Sequence, residues 1–311
     1  MAFRSGDQID AYTIERPLSK SGGMSQVFLA HHRDKPAIQV AIKVQLTEDE
    51  NSQTYQELLR QEAETLSRLR HPGIVHVFPL RVANRTAYSA RAHEHKGQPW
   101  YFAMENIKGN NLHGYTSQIS KMPLEWVMEL FYQLLTTVHF MHMSGYAHCD
   151  LKPNNILLRS VPSVNDVPRP VLVDFGSATE IKKGIGQLTA SLHYSPPEVI
   201  LAMERKDIPQ SNLLLLPEKI DIWALGAILF EIITGRPLIN KKKKDDITTS
   251  IIKGELDTIH SLRPDIHHSL DRFLGVILRK DPAERPEVRD LIKAIEEKIS
   301  VSRPPRIGQS G

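Results

Sequence analysis

The stretch Tyr146-Ala-His-Cys-Asp-Leu-Lys-Pro-Asn-Asn155-Ile-Leu-Leu158 puts an acid, a lysine and an asparagine close together and ends in an apolar, strand-like run. Asp150 could accept a proton, Lys152 could neutralise a phosphate, and Asn155 could hold a divalent cation. A second lysine, Lys43, stands in the middle of an apolar strand pattern, Val40-Ala-Ile-Lys43. A lone buried ammonium is costly, so this lysine needs a counter-charge. A third cluster, Asp174-Phe-Gly176, follows the apolar run Val171-Leu-Val173. Near the start, Gly22 and Gly23 lie in the turn-rich link Ser19-Lys-Ser-Gly-Gly-Met-Ser-Gln26. Glycine lets backbone amides approach a phosphate closely, although from this loop alone a plain hairpin is the favoured reading.

The elements that must position these residues follow from periodicity. Tyr12 to Leu18 and Val27 to Ala30 predict two strands flanking the glycine link. Ile38 to Gln45 alternates as a strand should, with β-branched residues at Ile38, Val40, Ile42 and Val44. Ser52 to Leu69 predicts a helix, with acids towards its start, Arg68 and Arg70 near its end and His71-Pro72-Gly73 as its stop. Ile74 to Leu80 and Trp100 to Ile107 predict two further strands joined by a long polar link, Arg81 to Pro99. Leu124 to Ser144 predicts a long amphipathic helix that Gly145 ends. Pro162, Pro168 and Pro170 frame a solvated excursion, and Lys182 to Ala190 is polar and predicted mobile. Ile222 to Ile233 is apolar except for Glu231 and predicts a buried helix, being too short to span a bilayer. Glu287 to Ser300 predicts a closing helix.

Several of these clusters match one family. The protein-kinase catalytic loop reads H-R-D-L-x-x-x-N. His148, Asp150, Leu151 and Asn155 fit it, and Cys149 stands where that pattern has arginine. Val40-Ala-Ile-Lys43 and Asp174-Phe-Gly176 match the family's V-A-I-K and D-F-G without change. Ser195-Pro-Pro-Glu198 resembles its A-P-E, with Pro196 for alanine. The glycine loop G-x-G-x-x-G-x-V is kept in part: aligned on Val27, the three glycine positions hold Lys20, Gly22 and Ser25, with Gly23 beside them. Lys152 with Pro153 is similar to the serine/threonine branch, and the Gly-Gly-Met-Ser form to eukaryotic-like kinases of the bacterial type. The motifs occur in family order from Tyr12 to about Ser300, so the chain resembles a protein kinase over nearly its whole length.

That resemblance implies an α+β fold of two lobes: a small β-rich N-lobe with one helix over about residues 10–106, and a larger, mostly helical C-lobe over about 108–300. Residues 301–311 are predicted to be a disordered tail, and the whole of 1–311 one kinase domain. It implies a pair between Lys43 and Glu62, which lies nine positions before His71; the plainer reading makes Glu62 one surface acid among several. In the family's scheme Lys43 holds the α- and β-phosphates of ATP, Asp174 and Asn155 bind Mg²⁺ (or Mn²⁺), Asp150 is the catalytic base and Lys152 offsets charge on the γ-phosphate. Gly22 and Gly23 let the loop cover the nucleotide, and Val27, Ala41 and Leu157 sandwich the adenine. Met104 is the gatekeeper, with the Glu105 carbonyl and Ile107 amide gripping adenine. Asp221, opening Asp221-Ile-Trp-Ala-Leu-Gly226, would hold the catalytic-loop backbone, and Arg285 would pair with Glu198. Ser191 sits where similar kinases keep a hydroxyl facing the cleft. Arginine at the position of Cys149 pairs with an activation-loop phosphate in many kinases. Cysteine cannot, so activity is expected not to depend strongly on phosphorylation of Thr179, Thr189 or Ser191. Lys182 and Lys183 are the basic residues that could replace it.

Bulk composition narrows the field. The chain has 311 residues, 41% hydrophobic and 24% charged, ordinary values for a globular protein. A formal charge of +3 and a pI near 8.8 suit ATP or an acidic partner and are too weak to argue for nucleic acid. One cysteine allows no internal disulfide and is compatible with a reducing, cytoplasmic setting. The first residues lack the apolar core of a signal peptide, and no membrane segment is expected in this chain. His93-Glu-His95 suggests a metal only weakly, and Lys241 to Lys244 reads as a solvated basic loop. The resemblance thus implies an ATP-dependent kinase acting on serine or threonine hydroxyls of a protein substrate. The alternatives are a nucleotide-binding pseudokinase scaffold, motivated by the glycine loop and Cys149, and a kinase of small molecules. The Lys-Pro of the catalytic loop and the D-x-W-x-x-G helix disfavour the latter.

Overall fold

In the computed structural model, which describes residues 3–19, 25–46, 52–82, 85–95, 97–160, 166–185, 191–204, 215–254 and 256–302, the chain opens with four antiparallel strands. They are β1 (Gln8–Ile9), β2 (Tyr12–Pro17), β3 (Ser25–His32) and β4 (Lys35–Gln45). Helix α1 (Ser52–Arg68) follows, then β5 (Leu80–Val82), β6 (Arg85–Ala87), β7 (Ala90–Arg91) and β8 (Trp100–Glu105). Six of these strands form one sheet in the order β1-β2-β3-β4-β8-β7. Gly22 and Gly23 lie outside the described residues.

The alternation along β4 decides what each face of this sheet carries. Val40, Ile42 and Val44 join Phe28, Ala30, Tyr101 and Ala103 in a buried apolar cluster. Successive strand residues point to opposite faces, so Ala41 and Lys43 turn the other way. Val27 is paired with Lys43, Lys43 with Phe102, and Ala41 with Met104. One face is therefore core, and the other gathers Val27, Ala41, Lys43 and Met104. Helix α1 packs against β4 and β8 and buries Leu59, Ala63 and Leu66.

Two expectations fail here. Ile74 to Leu80 is not a strand: it makes isolated bridges, Ile74 to Leu172 and Val77 to Met104. Pro79 within that run removes a donor and interrupts any ladder. Within the polar link Arg81 to Pro99 lie the short strands β6 and β7, and β5 pairs with β6. The first turn of α1 also carries no acid; Glu57 comes a turn later.

The chain divides into two compact units. The first contains residues up to Gly109 with Leu157–Ser160 and Val171–Ala178; the second contains Asn110–Ile156, Val161–Pro170 and the rest from Thr179. The later segments belong to the first unit because backbone hydrogen bonds fasten them there: Ser160 N to Lys108 O at 3.0 Å, Val75 N to Leu172 O at 3.0 Å and Leu172 N to Gly73 O at 2.8 Å.

The second unit is mostly helical, so the fold is α+β. Its elements are α2 (Leu112–Ile119), α3 (Leu124–Met143), the short strands β9 (Tyr146–Ala147) and β12 (Thr179–Glu180), α4 (Pro197–Glu204), α5 (Pro217–Thr234), α6 (Lys244–Ile252), α7 (Ile259–Leu262), α8 (Ser269–Ile277) and α9 (Val288–Ser302). Strands β10 (Ile156–Arg159) and β11 (Arg169–Leu172) lie between β9 and β12 in sequence. Helix α3 ends where Gly145 adopts a left-handed φ of 84°. Helix α5 is buried on all sides from Ile220 to Ile233, with α2, α3 and α8 packed on it. Gly226 on α5 permits that packing: a Cβ there would lie 2.7 Å from Ile277 Cγ2. Among the described residues, no helix is long and apolar enough to cross a membrane.

Buried charge fixes the start of α5. Arg285 donates to both carboxylate oxygens of Glu198, at 2.6 and 2.8 Å. It also donates to the carbonyls of Arg279, Lys219 and Lys280. Such a fork can be satisfied by few other side chains. Arg285→Ala should destabilise the protein by about 3–5 kcal/mol, because it strands a buried carboxylate. Urea denaturation checks this; a loss below about 1 kcal/mol, the range of an exposed pair, would show that the pair is not structural.

Candidate active site

In the first unit the sheet face opposite the core supplies a buried cation. Lys43 Nζ, on β4, donates to Glu62 Oε2 at 2.7 Å and Oε1 at 2.8 Å, and to Asp174 Oδ1 at 2.7 Å. Burial works to lower the Lys43 pKa, but Glu62 and Asp174 outweigh it and the lysine is held above its ordinary value. Glu62, on α1, is 4% exposed and also accepts from the Phe175 amide at 3.1 Å. It is therefore not one surface acid among several. Asp174 has a φ of 63°, a left-handed conformation that is costly for a non-glycine residue. Its side chain remains about half exposed, so its carboxylate faces both Lys43 and solvent.

The same unit holds the other nucleotide-site candidates. Met104 and Ala41 are buried, while Val27 and Leu157 are half-buried. Glu105 N donates to His76 O at 2.7 Å, which anchors the end of β8, and Ile107 is buried two residues on.

In the second unit the residues that match the family's catalytic-loop motif converge on Asp150. Its Oδ2 accepts from Lys152 Nζ at 2.6 Å and its Oδ1 from Ser191 Oγ at 2.8 Å. Lys152 Nζ also donates to Ser191 Oγ at 2.9 Å. Asn155 Nδ2 donates to the Asp150 carbonyl at 3.0 Å and to Oδ2 at 3.3 Å. The backbone beneath is held by Asp221, a fully buried carboxylate on α5. Its two oxygens accept from His148 N and Cys149 N, each at 2.8 Å. His142, in the last turn of α3, reaches the same carboxylate at 3.0 Å through Nε2. Sequence reasoning missed His142, because a histidine on a helix carries no mark of its distant partner.

Each candidate metal ligand, taken in its own unit, offers an oxygen that suits a hard divalent cation. Asn155 uses its amide nitrogen on Asp150, which leaves its carbonyl oxygen as the available ligand atom, and Asp174 offers a carboxylate. Among the described residues there is no group of three or more His, Cys, Asp or Glu able to cage a metal. Mg²⁺ bound with nucleotide phosphates needs only one or two protein oxygens. In His93-Glu-His95, Glu94 pairs with Arg33 at 3.0 Å and the His95 ring lies 4.1 Å from that of Phe3.

Cys149 is held with a φ of 61°. Burial pushes its thiol well above the ordinary range, aided by the charges of Asp221, Glu218 and Asp150. A thiol that stays protonated is a poor nucleophile, which argues against a catalytic role for Cys149. As Cys149 is the sole cysteine, iodoacetamide labelling reads it directly. At pH 7.5 it should react at least about tenfold more slowly than free cysteine; an equal or faster rate would contradict the raised pKa.

Comparison with known proteins agrees with this arrangement. The protein kinase domain model matches residues 15–295. The serine/threonine-protein kinase PrkC of Bacillus subtilis is 26% identical over 289 residues, covering 91% of this chain and 39% of PrkC. Sperm motility kinase Z of Mus musculus is 25% identical over 283 residues, 90% of this chain and 49% of that protein. The serine/threonine-protein kinase PknA of Mycobacterium tuberculosis is 26% identical over 308 residues, 96% of this chain and 64% of PknA. The chain thus spans less than half the length of the first two. With the family model covering nearly all of it and the lysine–glutamate–aspartate and aspartate–lysine–asparagine sets in place, this chain belongs to the protein kinase family.

Proposed function

We propose that this chain is an ATP-dependent serine/threonine kinase domain that transfers the γ-phosphoryl group to a hydroxyl of a protein substrate. The observation that carries this is the setting of Asp150. It already accepts a hydrogen bond from a serine hydroxyl, that of Ser191, with the Lys152 ammonium touching both. A substrate hydroxyl offered to Asp150 would meet the same acceptor. As its oxygen forms a bond to the γ-phosphorus, the bond from that phosphorus to the β–γ bridging oxygen breaks and ADP leaves. The hydroxyl proton passes to Asp150. Lys152 offsets the charge spread over the γ-phosphoryl oxygens, and Lys43, fixed by Glu62, holds the α- and β-phosphates. Mg²⁺ or Mn²⁺, held by Asp174 and Asn155, would neutralise phosphate charge. Val27, Ala41 and Leu157 enclose the adenine, whose edge is gripped by the Glu105 carbonyl and Ile107 amide, with Met104 as gatekeeper. Gly22 and Gly23 are assigned to the loop over the phosphates.

The activation segment has its own fastenings, which supports activity without its phosphorylation. Strand β12 pairs with β9, and Ile181 N donates to Gly145 O at 2.9 Å. Thr179 Oγ1 donates to Gly184 O at 2.7 Å, and Tyr194 OH to Glu231 at 2.6 Å. Lys183 pairs with Glu180 at 2.9 Å in a largely exposed contact. Thr189 lies outside the described residues.

One assay tests both statements: transfer from labelled ATP to a generic basic protein, with and without prior phosphatase treatment and with Asp150→Asn as control. The wild type should label the protein only with Mg²⁺ or Mn²⁺ present, Asp150→Asn should lose at least about a hundredfold, and phosphatase treatment should change the rate by less than about tenfold. ATP binding without transfer would favour the nucleotide-binding scaffold, to which Lys20, Ser25 and Cys149 point. A hundredfold fall after dephosphorylation would mean that another basic residue does the arginine's work.

A further inference from the structure

The polar contacts assigned above to the adenine edge come from backbone atoms, which no side-chain substitution removes. What fixes that backbone is therefore the question, and the first unit answers it locally. The Glu105 carboxylate takes a fork from Arg159, Nη1 to Oε1 at 2.5 Å and Nη2 to Oε2 at 3.1 Å. Glu105 N is held by His76 O at 2.7 Å. Three residues further on, Lys108 O accepts from both the amide of Ser160, at 3.0 Å, and its hydroxyl, at 2.9 Å. At Gly109 the approach is closest: φ is 157°, and a Cβ there would run into the Leu158 carbonyl oxygen. So the segment is fastened at Glu105 to Arg159, the last residue of β10, and at Lys108 to Ser160, the residue after it. That strand also carries Leu157, two residues before Arg159 and so on the same face by strand alternation.

We propose that Arg159 is a positioning residue that sets the gap between the adenine-gripping backbone, Glu105 to Ile107, and the adenine floor, Leu157. This rests on the reading of those residues as the adenine site. The Arg159 and Glu105 side chains are 36% and 29% exposed, so solvent screens the pair and its share of overall stability is small. Its value is directional: a guanidinium fork fixes a carboxylate in two directions at once, which a lysine cannot do. Without it, the Glu105–Ile107 backbone must be ordered by the incoming base, and that cost falls on binding. The γ-phosphoryl chemistry depends on other residues and should be spared.

The test uses Arg159→Ala, Arg159→Lys, Glu105→Gln and the exchange Glu105→Arg with Arg159→Glu in the full chain. Binding of adenosine and of MgATP is measured by calorimetry, alongside kcat and KM for ATP. Arg159→Ala should weaken both ligands about fivefold and raise KM similarly, with kcat within about twofold, the pattern of lost uniform binding. Arg159→Lys should recover only part of this, and the exchange should restore affinity to within about twofold. Should Arg159→Ala fail to fold, Glu105→Gln, which keeps the size and removes the charge, is expected to show the same split. Unchanged adenosine affinity in these variants, or a fall in kcat with KM unaltered, would overturn the proposal while leaving the kinase reading intact. A wild-type protein that binds neither adenosine nor MgATP would overturn the adenine-site reading itself, and this proposal with it.

Discussion

A lysine ammonium in the middle of a sheet is the constraint on which the first unit depends. An unpaired buried charge costs several kcal/mol. Lys43 is compensated by two carboxylates, each 2.7 Å away, from distant parts of the chain. Glu62 can reach it because α1 packs against β4 and β8. Asp174 can reach it because Leu172 is fastened to Gly73 and Val75, and because the aspartate accepts a left-handed backbone. Glu62 extends the network by receiving the Phe175 amide, so a single carboxylate ties strand, helix and the Asp174 turn together. The side of the sheet on which this happens is set by nothing more than alternation along β4. Val40, Ile42 and Val44 face the core, and the residues between them face the site.

The helical unit solves a comparable problem with buried acids. Asp221 lies inside an apolar helix and is fully enclosed, yet its oxygens are taken by two backbone amides and His142. Glu231, on the same helix, receives Tyr194 at 2.6 Å and Thr116 at 3.4 Å. Burial raises the Tyr194 pKa and Glu231 adds to the effect, so the phenol remains a donor. Helix α5 thus acts as a rigid post from which the catalytic loop and the segment after Ser191 are hung. A fully satisfied buried polar network of this kind fixes one arrangement in a way that an apolar contact cannot.

Residues that carry charge into apolar surroundings are the legible ones. Lys43 within a β-branched strand demands a partner on its amino-acid neighbours alone. The run Asp150-Leu-Lys-Pro-Asn-Asn155 puts its donors and acceptors within a few residues of one another. Features made by distant, ordinary-looking residues are not legible. Arg159 follows an apolar run and resembles any strand-terminal charge; only the geometry pairs it with Glu105, fifty-four positions earlier. His142 gives no sign of Asp221. The Ile74 to Leu80 run misleads because its apolar residues serve isolated bridges, with Pro79 preventing a ladder. The short strands β6 and β7 lack the alternation that would mark them.

The central claim is that Lys43, paired with Glu62, acts on the nucleotide rather than on the fold alone. Replacing it by methionine keeps the length of the side chain and removes the charge. Steady-state transfer from ATP by Lys43→Met, with circular dichroism as the check on folding, measures the claim directly. Turnover should fall at least about a hundredfold, about 2.7 kcal/mol of barrier, in a protein that remains folded. A folded variant that keeps turnover within about tenfold of wild type, about 1.4 kcal/mol, would contradict the role assigned to this lysine.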